Sequence, residues 1–336
     1  MKYCYQIEGD LRNNIGDVLQ GMVAKRFLPT GAQVLNRENL KHAEIEGNAF
    51  FIANGWYNHS YENFPPPANI KPLYVSVHIA HSGFLLSEVT REHFKQNAPI
   101  GCRDHKTEKL FLGWGIPAYY SGCLTTTTLP RADINKTNLG ECLLVDNVDH
   151  PIPEEVKLKL ESLLGESLIR VSHDPENVAG TLEEYNDRSI LAMEGLLNRY
   201  CKAKIILTTK IHCALPCMGM GANVVLIHPN PDDPRLDTVS EFLQIYSYEE
   251  IIKMENWVSP QLNKQALLDR QEFLVQLINE AVHNAYNPIV KSGKYWNLKY
   301  QAKIKAFFYG KLIWIMKKIR ISSRVQRVYA GDGNGK

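Results

Sequence analysis

Ile205-Ile206-Leu207-Thr208-Thr209-Lys210-Ile211-His212-Cys213-Ala214-Leu215-Pro216 reads as a short apolar strand that ends in polar residues and turns at once into a helix. Strands of a parallel sheet are buried on both faces, so they appear as brief, nearly uninterrupted apolar runs, and the crossover to the next strand is a helix. The same pattern recurs on both sides of this stretch. Before it come strands at Cys142–Val145 and Ser167–Val171 and helices at Glu154–Leu164 and Arg188–Cys201; after it come Val224–Ile227 and helices near Val239–Ile245 and Gln265–Asn284. An earlier series has strands at Tyr3–Ile7, Ala49–Ala53, Leu73–Ile79, Ile100–Cys102 and Ala118–Tyr120, with helices at Asp17–Phe27, Ser87–Gln96 and His105–Leu112. Alternating strands and helices predict an α/β fold. The polar stretch from Pro130 to Asn138 reads as a linker, giving Rossmann-like domains over residues 1–135 and 136–290 that face a cleft, and a tail over 291–336. Ligands of such sheets sit outside the carboxyl ends of the strands.

The composition admits ordinary cores: 336 residues, 44% of them apolar, with a mean hydropathy of −0.26. The formal charge of +2 hides a division. Residues 291–336 hold 12 Lys and Arg and one acid, Asp332, whereas residues 1–290 hold 26 basic and 35 acidic residues. A basic tail on an acidic body calls for an anionic partner. The N-terminus has no apolar stretch of signal-peptide length, so a cytoplasmic protein is expected, and seven scattered cysteines without a CxxC pair read as reduced structural thiols. No apolar run reaches the ~18 residues of a spanning helix. Neither a G-x-G-x-x-G turn after the first strand nor a Walker lysine loop occurs, which argues against a dinucleotide enzyme or a P-loop NTPase.

Five strand ends carry candidate chemistry. Asn14, Gly16 and Asp17 open the first helix, either as plain caps or as an anion site built from free N–H groups. Arg103, in Gly101-Cys102-Arg103-Asp104, either clamps a carboxylate or phosphate or pairs with Asp104 at the surface. Lys210 and His212 bracket a turn, where a cation and a titratable imidazole could face one anion; the alternative is a structural histidine. A metal held by His212, Cys213 and Cys217 is disfavoured because three ligands crowd into six residues. Asn54-Gly55-Trp56 reads as a turn whose indole suits a sugar, or as an ordinary turn, and His78 and His81 close another strand with the cleft or the solvent before them.

Together with Ser121-Gly122-Cys123-Leu124-Thr125-Thr126-Thr127, these segments resemble the polysaccharide pyruvyl transferase family in order and spacing over residues ~10–230. The resemblance implies a GT-B-like fold and transfer of the pyruvyl group of phosphoenolpyruvate to a sugar as a cyclic ketal, with no metal or organic cofactor. Carried over by position, it implies His212 and Arg103 as catalytic residues. It implies Arg103, Lys210, Asn14, Gly16 and His78 around the donor, and Asn54, Gly55, Trp56 and Asp17 around the acceptor. One position departs: the family has arginine where Lys210 stands, which keeps the charge and loses the bidentate fork. On residue type alone His212 would titrate near ~6.5 and serve as a general acid.

In the tail, Ile304, Phe308, Leu312, Ile315 and Ile319 fall on one helical stripe, Lys303, Lys317, Arg320 and Arg324 on the other face, and Tyr309 and Trp314 at the margins. This predicts a basic amphipathic helix lying on an anionic membrane through residues 291–330; the alternative is a helix whose apolar stripe packs on the body. Nucleic acid is not an expected partner, since the body is acidic and carries no recognisable nucleic-acid module. The expected acceptor is a hexose, galactose as a 4,6-ketal by family habit, on a polyprenyl-diphosphate-linked capsular or surface polysaccharide precursor at the inner face of the cytoplasmic membrane. Two rival readings are a GT-B glycosyltransferase using a nucleotide sugar and an inactive membrane-bound component of a glycan assembly complex.

Overall fold

The computed structural model describes residues 1–9, 14–57, 61–131, 139–146, 151–173, 180–286, 297–313 and 316. The first series of elements is β1 (Lys2–Ile7), α1 (Ile15–Lys25), β2 (Gln33–Asn36), β3 (Ala49–Tyr57), β4 (Ile70–Ile79), α2 (Glu88–Gln96), β5 (Ile100–Cys102), α3 (His105–Gly113) and β6 (Ala118–Tyr120). Its strands form one parallel sheet in the order β2-β1-β3-β4-β5-β6. β7 (Cys142–Val145), α4 (Glu154–Leu164), β8 (Leu168–Arg170), α5 (Leu182–Lys202), β9 (Ile205–Thr208), α6 (Ile211–Met220) and β10 (Val224–Leu226) follow, and a second parallel sheet runs β10-β9-β7-β8. The α/β class expected from the sequence is what these elements form.

Local chemistry explains most boundaries. Asn14 caps α1 by accepting the Gly16 N–H at 2.9 Å, and α1 buries Ile15, Val18, Leu19 and Val23. Asp104 caps α3 through the Thr107 N–H at 2.8 Å. α6 ends at Gly221, whose φ of +84° is the left-handed conformation that closes a helix most cheaply in glycine. The sequence reading missed β2 and α8 (Tyr248–Lys253), and it gave a helix over 239–245 where α7 covers only Asp237–Ser240. α8 is signalled by a Ser247/Glu250 capping box. The expected linker lies, from residue 132 on, outside the described residues.

Asn54-Gly55-Trp56 is not a turn. It continues β3 opposite a bulge in β4: from Ala53 to Gly55 β3 advances two residues while β4 advances three, from Tyr74 to Val77, with Ser76 at φ +57° in β4 and Gly55 at φ +101° in β3.

One apolar cluster joins the two sheets. Tyr5, Ile52 and Val75 of the first and Val145, Ile206 and Leu226 of the second share a core with residues of α1, α5 and α6. α9 (Lys264–Tyr286) adds Leu274, Leu277 and Ile278 to that core and reaches back to the first sheet, where Gln271 Nε2 donates to Thr126 O at 2.7 Å and the Arg270 guanidinium lies 4.7 Å from the Tyr120 ring centroid. A second cluster covers the other face of the first sheet, and a third the outer face of the second.

Helix α10 (residues 297–313) lies beside α3. Ala302 and Ala306 are buried, Tyr309 packs on the second cluster, and Lys305 Nζ pairs with Glu108 Oε1 at 2.6 Å. Ile304, Phe308 and Leu312, the described members of the expected stripe, face outward and do not pack on the body. Ile315, Ile319, Trp314, Lys317, Arg320 and Arg324 lie outside the described residues. Among the described residues no helix is long and apolar enough to cross a membrane.

His93 supplies a stability prediction. Its ring sits among Phe64, Tyr74 and Phe94, with the Tyr74 hydroxyl 2.8 Å from Nε2, and burial with the nearby Lys71 charge lowers its pKa from 6.5 to about 4. The unfolded chain takes a proton there below 6.5, the native chain only near 4, so stability present at neutral pH is lost as the pH falls through that window. The midpoint of thermal unfolding is expected to drop between pH 7 and pH 4.5, and His93→Gln to make that pH dependence shallower.

Candidate active site

The carboxyl ends of both sheets open on one cleft of about 420 Å³, lined by Asn14, Asp17, Trp56, Arg103, His173, Thr209, Lys210, Ile211, His212, His228, Pro229, Arg235, Leu236 and Tyr248. Asn14 and Asp17 follow β1, Trp56 lies in β3 and Arg103 follows β5; His173 follows β8, Lys210 and His212 follow β9, and His228 follows β10. Parallel strands end on one side of their sheet, which brings residues far apart in sequence to one opening.

His212 stands at its centre. Its Nδ1 is 3.6 Å from Asp17 Oδ1, and its Nε2 is 3.5 Å from Arg103 Nη1. A guanidinium only donates, so that contact requires a bare Nε2 and leaves the proton on Nδ1, toward the carboxylate. Burial, reinforced by the charges of Arg103, His173 and Arg37 and opposed by Asp17, lowers the His212 pKa from 6.5 to about 4. The ordinary titration expected from residue type is therefore corrected: in the free protein His212 is a neutral imidazole at pH 7.

Arg103 is almost fully buried, and its Nε has no partner among the described residues. Its backbone N–H donates to Val77 O at 2.8 Å. The neighbouring Asp104 faces away, bound to His78 Nδ1 at 2.6 Å and to the Thr107 N–H and hydroxyl. The surface pair between Arg103 and Asp104 is thus not formed. Lys210, half-buried on the cleft wall, makes no ion pair among the described residues. A buried guanidinium with an unpaired donor, beside a second cation, is a site short of an anion.

The remaining expected residues divide into lining and supporting groups. Gly16 is where the starts of α1 and α6 nearly touch: a Cβ there would lie 3.0 Å from His212 Cβ and 2.9 Å from Asn14 Oδ1. Asn54 and Gly55 do not reach the cleft. Asn54 Nδ2 donates to Gln20 O at 2.9 Å, a Cβ on Gly55 would lie 2.9 Å from Gln20 Oε1, and Gln20 Nε2 in turn donates to Asp17 Oδ1 at 2.8 Å. They hold the residue that holds Asp17. His78 is likewise buried behind the wall, its ring edge-on to Trp56 with centroids 5.6 Å apart, and His81 is exposed.

His173, His228, Arg235 and Tyr248 were missed by the sequence reading. His228 begins the polar end of β10, so the strand-end rule would have found it. Arg235 sits in a 3-10 turn (Pro234–Leu236) after β10, held by Asp233 with Nη2 to Oδ2 at 2.6 Å. His173 is buried with Nε2 2.6 Å from the Tyr200 hydroxyl, a partnership between distant segments that no spacing reveals.

A family model described as polysaccharide pyruvyl transferase matches residues 14–231, from the Asn14 cap past the His212 helix. No curated protein matches the chain.

The charge arrangement around His212 predicts its titration. By NMR, the His212 ring should remain neutral at pH 6 and titrate near pH 4, and Arg103→Ala should move the midpoint upward by removing one cation. A wild-type midpoint at 6.5 would show that burial and cations do not set this group.

Proposed function

The chain belongs to the polysaccharide pyruvyl transferase family, and from that premise we propose that it moves the pyruvyl group of phosphoenolpyruvate onto a hexose of a surface polysaccharide as a cyclic ketal. The observation that carries this reading is the triad of Asp17, His212 and Arg103 beside Lys210 in one cleft. Its cations are of the kind that bind a carboxylate and a phosphate, and it has an imidazole within reach of both charge signs.

The donor brings the anions that the free cleft lacks. When its carboxylate and phosphate engage Arg103 and Lys210, their negative charge opposes the two cations, and the His212 pKa rises so that the imidazole takes a proton. His212 then gives that proton to the methylene carbon of the enol, leaving oxocarbenium character on the neighbouring carbon. A sugar hydroxyl adds to that carbon and passes its proton back to the now neutral His212. The carbon–oxygen bond to phosphate breaks with both electrons on the departing phosphate, whose charge Arg103 and Lys210 hold. A second hydroxyl of the same sugar closes the ring, its proton leaving with the phosphate. The products are a ketal and inorganic phosphate. Asp17 keeps the imidazole oriented throughout, and Trp56 offers the acceptor a ring face.

The finer assignments rest on family habit and on charge. They are galactose with a 4,6-ketal, a polyprenyl-diphosphate-linked capsular or surface precursor as its carrier, and a cytoplasmic protein held peripherally at the inner face of the membrane by the charge of residues 291–330. The functional units are residues 1–135 and 136–290, which together form a GT-B-like pair, and the tail 291–336.

His212→Ala and Arg103→Ala should each lower phosphate release from phosphoenolpyruvate and acceptor by at least about 100-fold, with the fold retained. Lys210→Arg should keep substantial activity, because it restores the family's residue and keeps the charge. The check is incubation with phosphoenolpyruvate and a panel of aryl and lipid-linked glycosides, read by mass spectrometry for pyruvyl addition. Near wild-type turnover in either alanine variant would remove that residue from the mechanism.

A further inference from the structure

Helix α10 has two apolar faces, and only one of them is covered. At about 100° per residue, Ala302, Ala306 and Tyr309 lie on one side of the helix, and Tyr300, Ile304, Phe307 and Phe308 lie on the opposite side. The first side packs on the body. The second is bare: Tyr300 is 69% exposed, Ile304 41%, Phe307 59% and Phe308 63%, and Leu312 at 53% borders it. Large aromatic and aliphatic side chains clustered on the outside of a docked helix mark a contact surface, because isolated surface apolar residues are ordinary but a contiguous set is not.

The helix is fixed where it lies. Small alanines let it sit close to the body, and Lys305 is pinned to Glu108, whose helix begins at the Asp104 cap next to Arg103. Lys311 spans the exposed face with its ammonium 4.5 Å from the Phe307 ring centroid, and Lys303 is exposed at the edge.

We infer that the outward face of α10 is a preformed docking surface for an anionic lipid bilayer, with Phe307 and Phe308 as its inserting anchors. Charge complementarity selects this occupant. Residues 291–330 hold 11 basic side chains and no acid, so a second copy of the same face would be repelled, whereas negatively charged headgroups would be attracted while the aromatic rings enter the acyl boundary. Lysines on such a face lay their stems along apolar surface and keep the ammonium among the headgroups. The inference rests on the peripheral placement proposed above and deepens it: binding through charge alone would leave α10 free of the bilayer, whereas binding through this face sets the orientation of the body. It is independent of the ketal chemistry.

The test is sedimentation of the full chain with vesicles of phosphatidylcholine, with and without phosphatidylglycerol, comparing wild type with the double variant Phe307→Ser/Phe308→Ser. Both changes are at exposed positions and keep the net charge, and matched thermal unfolding verifies the fold. Wild type should pellet with the phosphatidylglycerol vesicles, and the variant should bind at least about tenfold more weakly while releasing phosphate from phosphoenolpyruvate, with soluble glycosides as acceptors, at the wild-type rate. Equal binding by the two proteins would overturn the docking face and leave a purely electrostatic tail. Absence of wild-type binding would overturn the face and the peripheral placement together. A wild-type dimer in light scattering that the same substitutions dissociate would assign the face to a second copy instead.

Discussion

The near-contact of two helix starts, α1 at Gly16 and α6 at His212, is the constraint on which the rest of this molecule turns. Each helix leaves the carboxyl end of a parallel strand, β1 in one sheet and β9 in the other. The core that the sheets share holds these ends together, and a Cβ at position 16 would crowd the His212 Cβ at 3.0 Å. A glycine here therefore does more than permit a backbone conformation. It allows a carboxylate from one sheet and an imidazole from the other to stand within 3.6 Å.

That closeness sets the electrostatics. Burial, with the charge of the Arg103 it touches, suppresses protonation of the His212 imidazole, so the free cleft presents cations and a neutral His212. Taking cations out of water is costly unless something anionic meets them, and a ligand carrying a carboxylate and a phosphate removes that cost. In the reaction proposed above, the same event raises the His212 pKa, so that donor binding and the arming of His212 are one electrostatic step, not two separate devices. Asn54, Gly55 and Gln20 keep Asp17 in register for it without touching the cleft.

Much of the site was legible because parallel α/β folds place function at strand ends, and strand ends can be read from apolar runs that stop at polar residues. Asn14, Asp17, Arg103, Lys210 and His212 were found that way, and all five line one opening. The method failed where strand and turn look alike. Asn54-Gly55 has the composition of a turn, yet pairing with β4 carries the chain through it as strand, opposite a bulge in β4. His78 sits at a strand end but is drawn behind the wall by Asp104, a partner 26 positions away.

By itself, the sequence determined the α/β class, the family pattern, the residues that carry charge into the site and the gathering of basic residues after 290, since each of these is a property of local order and spacing. Only the tertiary structure decided that His212 rests neutral, that Asn54 and Gly55 support where Trp56 lines, and that the stripe of Ile304, Phe308 and Leu312 faces away from the body. These depend on which groups meet across the fold and how little water lies between them. Apolar periodicity says that a helix has a face to cover. It does not say which side a neighbouring helix will take, and here two alanines fit against the body more closely than the phenylalanines could.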